Sequence, residues 1–210
     1  LADTSCTIAA GTARPPALFA VRLLLELLWL ALPVILAGLV HLVVLKLDLL
    51  PGLRERPIDG GIHFRGRRLF GDNKTWRGAL IMIASTAVAS VLLESLNSNF
   101  VHWSDPAPFA QHHPFAWGTL LGVGYILGEL PNSFIKRQLD IAPGAMGEGV
   151  VGRVFWVIDQ LDSLAGMLLM VLPVWQPDLG AVAALACLML IGHPIGAWVM
   201  MRFGLKDRVG

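Results

Sequence analysis

The chain has 210 residues, 55% of them hydrophobic and only 15% charged, with a formal net charge of +1. So apolar a composition excludes an ordinary water-soluble globule and marks an integral membrane protein. The near-neutral balance gives no reason to expect nucleic-acid binding, and the two cysteines, Cys6 and Cys187, are too few and too far apart for a disulfide framework or a metal knuckle.

Residues 1–22 form an N-terminal segment, followed by a single membrane domain over residues 23–210 with no linker, repeat or low-complexity tract. The first apolar run is too long for a secretory signal core and lacks a small-residue cleavage site, so it reads as a retained helix. Stretches at Leu23–Leu45, Gly78–Leu96, Phe115–Leu130, Val154–Trp175 and Leu179–Phe203 cross or nearly cross a hydrocarbon core that needs about 20 residues. The predicted fold class is all-α: a polytopic membrane protein with about five transmembrane helices. Lys and Arg concentrate between spans one and two (Arg54, Arg56, Arg65, Arg67, Arg68, Lys74, Arg77), between spans three and four (Lys136, Arg137, Arg153) and in the tail (Arg202, Lys206, Arg208). Those regions are expected in the cytoplasm, which gives an N-out, C-in orientation with the catalytic loops cytoplasmic; Arg14 and Arg22 on the other side do not outweigh them.

The first basic connection, Pro51 to Gly78, is dense in glycine and positive charge. Its glycines let backbone amides approach an anion, Lys74 and Arg77 can pair with phosphate oxygens, and Asp72 with Asn73 can hold a turn. If Lys74 to Gly78 opens the second helix, free N–H groups and a positive dipole end add to this. Setting topology and meeting anionic headgroups is the competing role for such arginines, and it is the preferred one for Arg54 and Arg56.

The second connection is expected to begin where span three ends, at Glu129-Leu-Pro131, and to carry Lys136 and Arg137. On a helix these point about 100° apart and so can grip different phosphates. Span four then holds Asp159 and Asp162, which share one helix face at i and i+3. Each would cost up to ~3 kcal/mol near a bilayer centre, against roughly 3 to 6 kcal/mol returned by the surrounding Leu, Ile, Phe and Val, so the carboxylates need partners. A hard cation such as Mg²⁺, held by one or two carboxylates and by substrate phosphates, satisfies them; a salt bridge to Arg153 or Lys136 is the alternative. Glu129 is either a third carboxylate at the rim or a helix terminus. Gly118-xxx-Gly122, Gly124-xxx-Gly128 and Gly192-xxx-Gly196 read as close helix packing. His41 and His193 stand alone in apolar surroundings, and His102, His112 and His113 lack metal-site spacing; no histidine is assigned a catalytic role.

Three pieces carry a family resemblance: Pro57-Ile-Asp-Gly-Gly61 with the Gly66-to-Gly78 run, Ser133-Phe-Ile-Lys-Arg137 with Pro143-Gly144, and Asp159-Gln-Leu-Asp162. With the five-span layout they resemble the CDP-archaeol synthases, membrane cytidylyltransferases related to phosphatidate cytidylyltransferase. Departures are Gly128-Glu129 where the family typically has Gly-Asp, and Gln138 and Asp140 where a basic residue and a glycine are usual. The resemblance implies transfer of CMP from CTP to a membrane lipid phosphate, archaeol-type or phosphatidate-like, in phospholipid biosynthesis at the plasma or inner membrane. It implies catalytic roles for Asp159, Asp162, Lys136 and Lys74. Substrate would be bound by Asp72, Asn73, Thr75, Arg77, Arg67, Arg68, Ser133 and Arg137, and Mg²⁺ by Asp159, Asp162 and Glu129. The partners are CTP, the lipid phosphate and the bilayer; nothing in the sequence fixes an oligomeric state. A CDP-alcohol phosphotransferase is the rival enzyme, but Asp162 is followed by Ser-Leu-Ala-Gly and by no further aspartate before Asp178. A non-catalytic lipid-binding protein explains the arginines without explaining paired aspartates opposite them.

Overall fold

A computed structural model describes residues 16–101, 112–177 and 179–202. Cys6, Arg14, His102, Asp178, Lys206 and Arg208, and the sequence readings placed on them, lie outside the described residues. The elements run α1 (Pro16–Lys46), α2 (Pro51–Arg54), β1 (His63–Phe64), β2 (Arg67–Arg68), α3 (Trp76–Leu96), a π-helical turn (Asn97–Val101), α4 (Pro114–Gln138), α5 (Gly149–Val171) and α6 (Leu179–Arg202). The architecture is helical as predicted, apart from a two-stranded hairpin in the first basic connection, with His63 opposite Arg68 and Phe64 opposite Arg67. Its turn takes positive φ at both central residues, 53° at Arg65 and 79° at Gly66, the geometry that matches the twist of a tight hairpin.

The helix α4 lies at the centre of the bundle, with α3 on one side and α5 on the other; α1 packs on α3 and α6 on α5. Lipid is as apolar as leucine, so helices in a membrane associate through close packing of small residues rather than through hydrophobic exclusion. A Cβ on Gly118 would lie 2.6 Å from the Thr86 carbonyl oxygen, and one on Gly122 would lie 2.7 Å from Ile83 Cα, so α3 and α4 meet backbone to backbone. On the other side, a Cβ on Gly124 would lie 2.6 Å from Met167 Cα and one on Gly166 would lie 2.2 Å from the Gly124 carbonyl oxygen. Gly192 and Gly196 behave differently: a Cβ at either meets nothing within 4 Å. The packing role expected there is not realised among the described residues, because α6 seats its Ala181, Leu185 and Met189 side against the core instead. The core also takes Leu30, Ala31 and Val34 of α1, Trp117 and Leu121 of α4, and Leu164, Met167 and Val171 of α5. Val43, Val88, Leu92, Leu169 and Ile191 face outward, as lipid-facing side chains do.

Two boundaries differ from the sequence reading. Span three does not stop at Leu130: α4 runs through Pro131 to Gln138, so Ser133, Lys136 and Arg137 sit on a helix rather than in a loop. Proline removes one N–H from the helical ladder and kinks it, but α5 packed alongside holds the next two turns in place. Likewise α5 begins at Gly149, five residues before the predicted Val154, which puts Asp159 and Asp162 near the middle of the helix. Three helical stretches, Trp76–Asn99, Gly149–Val171 and Leu179–Gly196, are long and apolar enough to cross a membrane, and Leu30–Lys46 is a shorter apolar one. Polar residues from Glu129 onward keep α4 out of that set despite its 25 residues.

Candidate active site

The two basic connections meet at one end of the bundle, where α4 and α5 bring four polar side chains together. Asn132 Nδ2 donates to Asp159 Oδ1 at 2.6 Å and to Asp162 Oδ2 at 2.6 Å, so one amide nitrogen bridges both aspartates. Lys136, one turn further along α4, donates to Asp159 Oδ1 at 2.5 Å and Oδ2 at 2.6 Å, and its ammonium lies 5.5 Å from the centre of the Phe155 ring. Asp162 Oδ1 accepts from Ser163 N at 2.6 Å and Ser163 Oγ at 3.2 Å. The salt bridge considered as the alternative partner for the aspartates is therefore present at Asp159, with Lys136; Arg153 is exposed.

These groups fit a divalent cation. Asp159 and Asp162 are held within reach of one atom, and Asn132 Oδ1 is buried with no hydrogen-bond partner, so turning the amide over would present an oxygen between two carboxylates. Two carboxylates with substrate phosphates completing the shell suit Mg²⁺. Among the described residues, no three His, Cys, Asp or Glu side chains are gathered as a metal cage. Glu129, on α4 one turn before Asn132, is ion-paired to Lys74 of the loop that leads into α3.

Lys74 and Glu129 line a second compartment, a cavity of about 230 Å³ walled also by His41, Ile58, Asn73, Thr75, Met82, Tyr125, Ile126 and Leu130. Thr75 caps α3, its hydroxyl accepting from Gly78 N at 3.3 Å.

The loop beside these sites is built on Asp59. Its carboxylate is buried and accepts from Arg68 Nη2 at 2.7 Å and from the amides of Gly61 at 3.0 Å, Phe70 at 3.0 Å and Gly71 at 3.2 Å. Burial opposes ionisation, but Arg68 and the three amides outweigh it and hold Asp59 at about 2. A depressed folded pKa stabilises the fold above the unfolded value and is lost as pH falls through the folded one. The thermal midpoint should therefore drop between about pH 4 and pH 2 in wild type, and less steeply in Asp59→Asn. Parallel pH profiles would show that Asp59 does not anchor the loop.

The remaining sequence-predicted residues divide by what they hold. Arg68 also pairs with Asp72. Arg67 and Asp140 form an exposed two-pronged pair at 2.6 and 2.5 Å. Arg77 is buried, donating to Asp48 at 2.8 Å and to the Leu49 carbonyl at 3.2 Å. Arg137 is also buried and donates to the Phe70 carbonyl at 3.1 Å and to the Ile141 carbonyl. Asn73 is exposed at the rim and Ser133 is buried on α4. Among the other histidines, His112 stacks on Trp117 and reaches the Val174 carbonyl at 3.1 Å, at the opposite end of the bundle. Asn132 and His41 were missed by sequence reasoning. The i, i+4 spacing of Asn132 and Lys136 could have flagged the first, had α4 been carried past Pro131.

A family model described as CarS-like, CDP-archaeol synthase, matches residues 20–209. The CDP-archaeol synthase of Halobacterium salinarum (strain ATCC 29341 / DSM 671 / R1) is 32% identical over 158 residues, which span 72% of this chain and 82% of the relative. That of Thermococcus onnurineus (strain NA1) is 32% identical over 152 residues, 72% of this chain and 78% of the relative. A solved structure, described as an intramembrane enzyme for archaeal membrane lipids biosynthesis, shares the fold with a TM-score of 0.58 and 24% identity, covering 83% of this chain and 94% of that one.

Proposed function

The chain belongs to the CDP-archaeol synthase family of cytidylyltransferases, and we propose that it transfers CMP from CTP to an archaeol-type ether lipid phosphate, with Mg²⁺, as a five-span, N-out, C-in protein of the plasma membrane. An oxygen of the lipid phosphate attacks the α-phosphorus of CTP, a P–O bond forms, and the bond to the β-phosphate breaks as pyrophosphate leaves with the electron pair. The observation that carries this reading is the Lys136–Asp159–Asn132–Asp162 cluster, a cation and two carboxylates bound to one another within the membrane domain. The reaction needs neither a proton donor nor a covalent enzyme intermediate, so the protein contributes charge neutralisation and in-line positioning.

Asp159 and Asp162, with Glu129 or the Asn132 oxygen, would hold a divalent cation, which would supply neutralisation of the triphosphate. Lys136 serves as the resting counter-charge of Asp159 and turns to a nucleotide phosphate when substrate arrives, and Lys74, paired with Glu129, offers its ammonium to a substrate phosphate in the neighbouring cavity. Arg67, Asn73 and Asp72 form the rim over which CTP enters. Thr75 presents the first turn of α3, Ser133 lines α4 beside the cluster, and Arg68, Arg77 and Arg137 hold the loop that positions these groups.

Purified protein given CTP, Mg²⁺ and an ether lipid phosphate should form CDP-lipid and pyrophosphate, more slowly with ester-linked phosphatidates. A chelator should stop the reaction and Mg²⁺ restore it. Product formation that persists in excess chelator would remove the metal from the mechanism; no product with any lipid phosphate would overturn the transfer reading.

A further inference from the structure

His41 is unused by the mechanism above. It stands on α1 among residues that face lipid, with Leu39, Val40 and Val43 exposed around it. Its ring nonetheless lines the cavity of about 230 Å³ shared with Asn73, Lys74 and Thr75. A Cβ built on Gly78 would lie 3.5 Å from His41 Nε2 and 3.9 Å from the Thr75 hydroxyl, so the imidazole presents its Nε2 edge to the first turn of α3. Neither ring nitrogen is hydrogen-bonded to another described residue. A polar ring on an apolar helix face is costly at membrane depth and calls for a partner.

We propose that this cavity seats the phosphate of the lipid acceptor, with His41 Nε2 donating a hydrogen bond to it opposite the Lys74 ammonium. The inference rests on the cytidylyl-transfer reading and assigns one substrate to one compartment. At about 230 Å³ the space falls below the ~300–1,000 Å³ of pockets that take whole small-molecule ligands; it suits a phosphate headgroup, not a nucleoside triphosphate. One wall is polar, and the other is made of Ile58, Met82, Ile126 and Leu130, as a headgroup whose chains continue into lipid requires. The 21-residue helix α3 points its N-terminus at the cavity, where its dipole favours an anion. Leu80 and Leu127, next in sequence to the lining residues Ala79 and Ile126, are exposed on the outer faces of α3 and α4. Glu129 makes the cavity hostile to a bare anion, so Lys74 must bridge Glu129 and the phosphate while a second donor acts from the α1 wall. His41 is that donor.

The test compares wild type, His41→Ala and His41→Gln for the KM of an ether lipid phosphate and of CTP. His41→Ala should raise the acceptor KM about tenfold with the CTP KM within about twofold, and His41→Gln, which keeps a donor, should recover most of the loss. An unchanged acceptor KM, or an equal rise in both constants, would overturn the assignment; the second result would place a nucleotide phosphate in the cavity. Gly78→Val, which crowds the cavity from α3, should raise the same constant even if His41→Ala fails to fold. Binding without CTP, in detergent micelles, separates this inference from the transfer reading. Wild type should retain the lipid phosphate over the same lipid lacking phosphate, and His41→Ala should lose that preference. His41-dependent binding with no CDP-lipid product would support the phosphate seat and remove the chemistry; product formation with no His41 dependence would do the reverse.

Discussion

Asp162→Asn is expected to lower CDP-lipid formation on the order of 10³-fold, with membrane insertion retained and a stability loss no larger than about 1–3 kcal/mol. The substitution keeps the volume and removes the charge. Asp162 is bridged by Asn132 on one oxygen and by Ser163 on the other, all of them donors, so an asparagine there leaves one N–H facing a donor. That mismatch costs about 1–3 kcal/mol at most, because Asn132 can turn its unpartnered oxygen toward the new amide. Asp159→Asn should differ in kind. It strips the counter-charge from Lys136, whose side chain is 10% exposed, and a buried ammonium without its partner costs about 3–5 kcal/mol. Both variants should thus lose turnover, but Asp159→Asn should lose more stability than Asp162→Asn, measured as product formation beside a thermal melt. Asp162→Asn with Mg²⁺-dependent turnover near wild type would remove Asp162 from the reaction. Equal melts for the two variants would mean that the Lys136 pair carries no stability.

The same two aspartates show how far sequence reaches. Charge within an apolar run marks them without any coordinates, because the bilayer penalises them, and the clustering of arginine identifies the loops that join them. Their partners were less legible. Lys136 was foreseen as one possible counter-ion, but ending span three at Pro131 left it in a loop, whereas α4 carries it within a helix to Asp159. Local sequence rules end helices near proline; tertiary packing overrode them, since α5 supplies contacts along the next two turns. Asn132 looked like an ordinary residue after a proline. His41 looked like a lone apolar-face histidine, because the cavity it lines is assembled from α1, α3, α4 and the loop, elements whose proximity no local pattern encodes. The hairpin and its anchor Asp59 were hidden for the same reason: the Arg68 guanidinium and three amides converge on it from up to twelve residues away. The glycine pairs on α4 were read correctly as packing, yet their consequence for chemistry lies at one position.

That position is Gly128, and Gly128→Ala is expected to destabilise the protein by about 1–3 kcal/mol and to abolish most of its turnover. A Cβ there would lie 2.1 Å from the Asp162 carbonyl oxygen and 3.0 Å from Gly166 N. Both atoms are backbone, so no side chain can swing aside and α4 must move away from α5. The gap opens at the turn preceding Asn132 and Lys136, whose bonds to Asp159 and Asp162 are all 2.5–2.6 Å long; a displacement of an ångström breaks them and misplaces the reacting groups by a distance that costs about 10²-fold in rate. Gly118→Ala is the informative comparison. It drives a methyl to 2.6 Å from the Thr86 carbonyl oxygen on α3, at the opposite end of α4, so it should lower the thermal midpoint by a similar amount while retaining far more turnover in the folded fraction. If the two alanine variants lost turnover in proportion to stability alone, the close approach at Gly128 would be ordinary helix packing. If Gly128→Ala lost turnover well beyond its loss of stability, the glycine would be what sets the spacing of the aspartate and lysine groups.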